Sequence, residues 1–397
     1  MEAKKVNVVT MGCPKNVVDS EILLKQLQAA GYFVTHDENE SSAYTVIINT
    51  CGFINDAKEE SIDMILKFAN AKKRGLIRKL YVIGCLSQKY PVELKKEIPE
   101  VDRFFGVNSM ELLLNEIGGN IKKDLLTDRI LSGPNHYAYL KISEGCDRTC
   151  AFCSIPFIRG RHISKSIGTI LKEASILETK GVKELILVAQ DLNYYGVDLY
   201  KKRMLSTLIE KIASENSFEW IRLQYLYPTG LSDSLLEQIK DIGQICKYVD
   251  IPLQHITDRM LKKMKRGYSR HYVEKLLTRI KTIMSDVAIR TTLITGHPGE
   301  TKEDFIALRD FVKEFQFDRL GVFKYSHEDE TYAGINYPDD IPDEEKENRA
   351  SEIMEIQQKI SLKKNMLKVG RTFKVLIDKN EGGYFIGRTE YDSPDVD

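Results

Sequence analysis

The stretch Glu144–Pro156, EGCDRTCAFCSIP, decides the reading of this chain. It sets Cys146, Cys150 and Cys153 at C-x3-C-x2-C spacing, directly after an apolar run, YAYLKIS. Closed metal sites take four protein ligands, whereas sites that do chemistry keep one position free. No fourth Cys or His stands at ligand spacing, which counts against zinc. The nearest, His162, lies in a basic stretch, RGRH, expected to be solvated. Three thiolates can hold all but one iron of a 4Fe-4S cluster and leave the last iron open to a small molecule.

Six strand-like runs follow one another from about His136 to Ile341: YAYLKIS, ELILVAQ, WIRLQYL, KYVDIPL, VAIRTTLIT and RLGVFKYS. Helical patterns such as TKEDFIALRDFVKEF separate them, so the region (136–341) reads as an open, partial (βα)6 barrel. In barrels of this kind the chemistry sits at the C-terminal strand ends. The cysteine triplet follows the first strand. Other polar segments follow later ones: Gln190 and Asp191 after the second, Gln254 and His255 after the fourth, and Gly296, Pro298, Gly299 and Glu300 after the fifth. All would face one mouth. Each alone also fits turn chemistry or a hydrogen-bonded core residue. Cys246 precedes a strand and reads as core.

The first region, residues 1–135, carries three buried-strand runs, KVNVVTM, YTVIINT and KLYVIG, with helical patterns between them. That is a small doubly wound parallel sheet. Cys13, Cys51 and Cys85 each stand just after one of these strands. Strand ends of one kind share one edge of a parallel sheet, so the three converge, although each could also be an ordinary buried cysteine. After a charged helical connector (342–369), RTFKVLIDKN and YFIGRTEY read as two strands (370–397), the start of a small β-barrel whose remainder is missing.

Composition narrows the setting. Lys+Arg and Asp+Glu are equal at 58 each, so net charge points to no polyanion and no DNA. The N-terminus lacks a signal-peptide core, and no run approaches the roughly 18–20 apolar residues of a membrane span. A cytoplasmic location is expected, where seven cysteines read as ligands or catalysts before disulfides.

The triplet resembles the signature of the radical S-adenosylmethionine (SAM) enzymes, in which the residue before the last cysteine is aromatic; here it is Phe152. The resemblance implies that SAM chelates the open iron and is cleaved to methionine and a 5′-deoxyadenosyl radical. Along essentially its whole length the chain is similar to the methylthiotransferase family. The matching pieces are GCPKNVVDSE, NTCGFINDAKEESID, VIGCLSQKY, VAQDLNYYGVDLY, DIPLQHITDRMLKKMKRG and TGHPGETKEDF, with a tail like the TRAM domain. That likeness implies a second 4Fe-4S cluster on Cys13, Cys51 and Cys85, and two SAM per turnover. One SAM would methylate a sulfur at the auxiliary cluster and the other would supply the radical. It implies a SAM pocket at Phe152, Gln190, Asp191, Gln254, His255, Gly296, Pro298, Gly299 and Glu300. The motif Gly12-Cys13-Pro14-Lys15-Asn16 matches the branch that modifies an aspartate β-carbon in small-subunit ribosomal protein S-twelve. The tRNA-adenosine branch reads GCQMN instead. The ribosomal protein or the small subunit is then the partner, with an electron donor such as flavodoxin or ferredoxin. A two-cluster electron carrier without catalysis is the alternative of another class. Two positions depart from the family pattern: His297 stands where an apolar aromatic is usual, and Glu330 stands in a glycine slot.

Overall fold

The computed structural model describes residues 5–39, 43–394 and 396–397; residues 1–4, 40–42 and 395, parts of the terminal regions delimited above, lie outside it. The first region is a five-stranded parallel sheet of β1 (Lys5–Thr10), β2 (Phe33–His36), β3 (Thr45–Thr50), β4 (Lys79–Gly84) and β5 (Arg103–Phe105), in the order β2-β1-β3-β4-β5. The three apolar runs form its centre. Its edges, β2 and β5, lack such a run: β2 is half exposed and β5 is three residues long. Helices cover both faces. Helices α1 (Pro14–Ala29) and α5 (Met110–Glu116) pack Leu23, Leu27 and Leu113 on one; α2 (Asn55–Lys73) and α4 (Pro91–Glu97) pack Ile65, Phe68 and Leu94 on the other. The short helix α3 (Cys85–Lys89) starts at the end of β4.

The second region contains all six expected strands: β6 (Tyr137–Lys141), β9 (Glu184–Val188), β10 (Trp220–Leu223), β11 (Tyr248–Gln254), β12 (Ala288–Thr295) and β13 (Arg319–Lys324). A small antiparallel pair, β7 (Ser143–Glu144) and β8 (Ile163–Ser164), flanks the cysteine loop. The strands are parallel but fall into two ladders, β10-β9-β6 and β11-β12-β13. Isolated backbone bonds join them, Cys246 N–H to Ile221 O at 3.0 Å and Leu226 N–H to Asp250 O at 2.9 Å. The helix Asp343–Met366, expected as a connector, packs Ile353 and Ile360 into the barrel core and so completes the sixth βα unit.

Two packings position the site. First, α1 lies against the inner side of the opening strands: Val18 meets Tyr139, Ile186 and Val188, while Ala138, Leu140, Leu185 and Leu187 point the other way into the helix-lined core. Full burial of each such apolar side chain contributes about 1.5–3 kcal/mol. Second, the tail hairpin of β14 (Leu376–Glu381) and β15 (Tyr384–Arg388) docks at the opposite end of the barrel, where strands begin. Leu376 and Tyr391 pack beside Trp220, Tyr248 and Ala288, and Arg388 reaches Glu184 at 2.8 Å.

Glu184 and Arg222 are a fully buried pair at 2.6 Å, so Glu184 neutralises two guanidinium groups. Replacing Glu184 with alanine leaves the buried Arg222 guanidinium without a carboxylate, while Arg388 keeps Asp378 at 2.8 Å. We expect unfolding free energy to fall by about 3–5 kcal/mol, read as a lower denaturant midpoint. A loss under about 1 kcal/mol would show that the tail does not depend on this anchor.

Candidate functional site

Each cysteine of the first region sits where a strand hands over to the next element. Cys13 is the N-cap of α1, Cys51 follows β3, and Cys85 opens α3. Glycines bring these loops together. A Cβ on Gly12 would stand 2.9 Å from the Cys51 sulfur, and one on Gly52 would stand 2.8 Å from the Leu86 backbone next to Cys85. Only glycine permits so close an approach. The thiols feel one another: burial pushes Cys85 up to about 12, and the charges of Cys13 and Cys51 add to that. Cys13 goes the other way. Burial raises it, but Lys15, Arg159 and the backbone N–H groups of Asn16 and Lys15 together bring it below the ordinary thiol value.

The second triplet sits at the barrel mouth. Burial pushes Cys146 up to about 11, with Cys150 adding to the effect, and raises Cys153 further. Arg266 donates to the Cys150 sulfur at 3.1 Å, and the Arg148 N–H donates to Cys146 at 3.4 Å. Among the described residues no three His, Cys, Asp or Glu side chains close around a single-ion position. A four-iron cluster makes a different demand, because each cysteine takes a different iron. Two sets of three thiols, each set on loops at one strand-end edge and met by N–H donors, fit that demand.

Arg159 joins the two sets. It ends the helix Ile155–Arg159, directly after Cys153, and is buried. Its guanidinium reaches Cys85, Asn16, Asp19 at 3.4 Å and Glu144 at 2.9 Å. The sequence reading placed this stretch, RGRH, in solvent. That is corrected: Gly160 and Arg161 are exposed, while Arg159 and His162 are 4% exposed. The cause is the β7–β8 pair and a bond from Cys146 N–H to Gly160 O at 3.1 Å, which fold the stretch back onto the cysteine loop. His162 then bonds Ser164 at 3.0 Å and stays neutral as burial lowers its pKa.

The remaining candidate pocket residues surround this mouth. Asp191 is buried and held by Arg148 at 2.9 Å, with its second oxygen unbonded. Gln190 donates to Glu144 at 3.2 Å. Gln254 has φ of +72°, a costly backbone for a non-glycine residue, at the end of β11. His255 Nδ1 accepts from Ile256 N–H at 2.9 Å, which leaves Nε2 toward Glu300 at 3.6 Å. Glu300 itself accepts from Arg349 at 2.7 Å and Gly296 N–H at 3.1 Å, so it braces the Gly296–Gly299 turn. Pro298 O accepts from His297 Nδ1 at 3.2 Å. His297 is ringed by Tyr325, Tyr337 and Phe152, and burial pushes its pKa down to about 4. A neutral imidazole thus fills an aromatic slot. Glu330 pairs with Lys89 at 2.7 Å, and Glu328 with Lys58 at 3.0 Å and with Lys89, tying the first region to the last barrel loop. Cys246 is buried near Trp220, away from the mouth.

These features define a radical SAM enzyme. Residues 140–312 match the Radical SAM superfamily, residues 5–106 the uncharacterized protein family UPF0004 and residues 369–397 the TRAM domain. Among solved structures, the radical SAM methyltransferase TsrM from Kitasatospora setae shares the fold at TM-score 0.62 and 14% identity, covering 84% of this chain and 75% of that one. The cobalamin-dependent enzyme OxsB shares it at TM-score 0.55 and 12% identity, over 90% and 56%. The ribosomal protein uS12 methylthiotransferase RimO of Flavobacterium johnsoniae is 52% identical over all of this chain and 91% of its own length. That of Bacteroides thetaiotaomicron is 51% identical over the same shares. The chain belongs to this RimO family of methylthiotransferases. It is a transferase that uses SAM and an iron–sulfur cluster.

Cys13 and Cys146 are both partly exposed, so their thiol reactivities isolate the electrostatics. In reduced, metal-free protein at pH 7.5 we expect Cys13 to be alkylated by iodoacetamide at least about tenfold faster than Cys146, scored by mass spectrometry. Equal rates would show that Lys15 and Arg159 do not act on Cys13.

Proposed function

We propose that this chain adds a methylthio group to the β-carbon of an aspartate in ribosomal protein uS12, with two 4Fe-4S clusters. The observation that carries the reading is that Arg159, at the end of the short helix that follows Cys153, reaches Cys85 and acts on Cys13 of the other triplet. Cys146, Cys150 and Cys153 would hold the SAM-cleaving cluster and Cys13, Cys51 and Cys85 the auxiliary one. Bound there, the clusters and SAM supply an electron, a methyl group and a hydrogen-abstracting radical.

The protein's own groups do the rest. Arg266 and the Arg148 N–H stabilise charge on Cys150 and Cys146. Phe152 and neutral His297 give an apolar wall; Asp191, Gln190, Gln254 and His255 offer the polar contacts; Gly296, Pro298 and Gly299 form the turn that Glu300 braces. Residues 1–135 would carry the auxiliary site and 136–341, closed by the helix Asp343–Met366, the SAM site. Among the described residues no helix is long and apolar enough to cross a membrane. A ribosomal substrate argues for the cytoplasm, where a flavodoxin or ferredoxin would supply electrons.

Anaerobically reconstituted protein should hold about eight irons, and replacing Cys146, Cys150 and Cys153 with alanine should leave about four. A wild-type count near four would remove the auxiliary cluster. After turnover, ribosomal protein uS12 should gain about 46 Da on an aspartate, H being replaced by SCH3. Modified tRNA with unmodified protein would move the chain to the adenosine branch, and no 5′-deoxyadenosine at all would make it an electron carrier.

A further inference from the structure

Helices α2 and α4 leave a groove of about 530 Å³ between them. Its α2 wall carries Glu59, Ile62 and Leu66, spaced three and four residues apart and so on one stripe of the helix. Leu86, Leu94 and Ile98 form a buried apolar floor. The sheet-facing side of α2 is already filled by Ile65 and Phe68, and Leu66 is left 42% exposed. Apolar surface beyond what the core needs marks an interaction site. A small-molecule pocket encloses most of its ligand, whereas this groove lies open along about 16 Å of helix from Asn55 to Leu66. That shape suits a length of polypeptide.

The rim is acidic. Glu59, Glu93 and Glu97 are exposed along it. Among the described residues no Lys or Arg pairs with Glu59 or Glu93, and Glu97 meets only its neighbour Lys96, at 3.7 Å. The cation of the lining, Lys58, is turned away to Glu328 at 3.0 Å. Such a rim repels RNA and acidic proteins and attracts a basic one. The groove also adjoins the mouth. Asn55, at one end, stands four residues after Cys51, Leu86 follows Cys85, and the Lys58–Glu328 pair joins the groove wall to the last barrel loop.

We infer that this groove docks a basic segment with an apolar face, belonging to the same protein whose aspartate enters the mouth. The inference rests on the ribosomal-protein reading above. A protein seated in a ribosomal subunit neutralises RNA phosphates with Lys and Arg, so its segments are basic. Apolar side chains of the segment cover Ile62, Leu66 and Leu94, and its cations meet Glu59, Glu93 and Glu97. Held there, the substrate presents its loop to the mouth at a raised effective concentration.

The test is steady-state methylthiolation by reconstituted enzyme of two substrates, purified ribosomal protein uS12 and a short peptide holding only its modified loop. The whole protein should show a KM at least about tenfold below that of the peptide. Glu59→Lys/Glu93→Lys/Glu97→Lys should raise the KM of the whole protein about tenfold at unchanged kcat and leave that of the peptide alone. It should also abolish the rise in KM that added salt causes in the wild type. Leu66→Ser should raise the KM of the whole protein about threefold with the salt dependence kept, which tests the apolar wall apart from charge. Each variant should form 5′-deoxyadenosine without substrate at the wild-type rate. An unchanged KM in the triple variant overturns the inference. So does an equal rise for protein and peptide, which would place the effect in the mouth, or a dimer of the wild type that the triple variant loses at unchanged KM, which would assign the groove to a second copy. Wild-type enzyme that forms 5′-deoxyadenosine but modifies neither substrate rejects the ribosomal-protein reading and the docking role with it.

Discussion

Everything at the mouth depends on how α1 is held. The helix lies along the inner side of β6 and β9 through Val18, and it is fixed there by charge: Asp19 to Lys141 and Arg159, and Asn16 to Arg159. Because Cys13 caps the same helix, this contact sets how far the first-region cysteines stand from the barrel cysteines. Arg159 ends the short helix that follows Cys153 and reaches Cys85. The loop that carries one triplet thus helps place the other. An isolated surface pair would contribute under about 1 kcal/mol, but a buried network of this kind makes the loss of any one member expensive.

The local chemistry follows from that geometry. The glycine beside each of Cys13 and Cys51 removes the side chain that would hold the neighbouring loop away. Burial raises the pKa of Cys51, Cys85, Cys146 and Cys153, whereas the cations of the network lower that of Cys13. Two of the non-glycine residues with positive φ, Tyr225 and Gln254, stand at the same rim, where strand ends turn toward the opening.

Much of this was legible in the residues. Central strands of a parallel sheet are buried on both faces and so write themselves as continuous apolar runs, which is why all six barrel strands and β1, β3 and β4 could be read. The short edges β2 and β5 carry no such run. Both cysteine triplets were legible because topology alone brings strand ends together. What was not legible was pairing across the chain. Arg159 and His162 look like surface residues until β7 and β8 fold them inward. Glu330 looks like an error in a glycine slot until Lys89 stands opposite. The helix Asp343–Met366 looks solvated because its buried residues are few and its charges many. Lys15 was read as a branch marker, and its seat on the Tyr225 ring is visible only in three dimensions.

The tail sits at the foot of the barrel, against Trp220, Tyr248 and Ala288, and its carboxylates reach inward: Asp397 to Arg290 at 3.2 Å and Asp392 to Arg319. With α1 along the inner wall and the tail at the base, the lumen is a cup and not a tunnel. Whatever enters and whatever is spent must cross the same rim. Traffic through a single doorway is sequential: a small molecule seated deep must arrive before a bulky guest covers it, and cannot be exchanged until that guest withdraws.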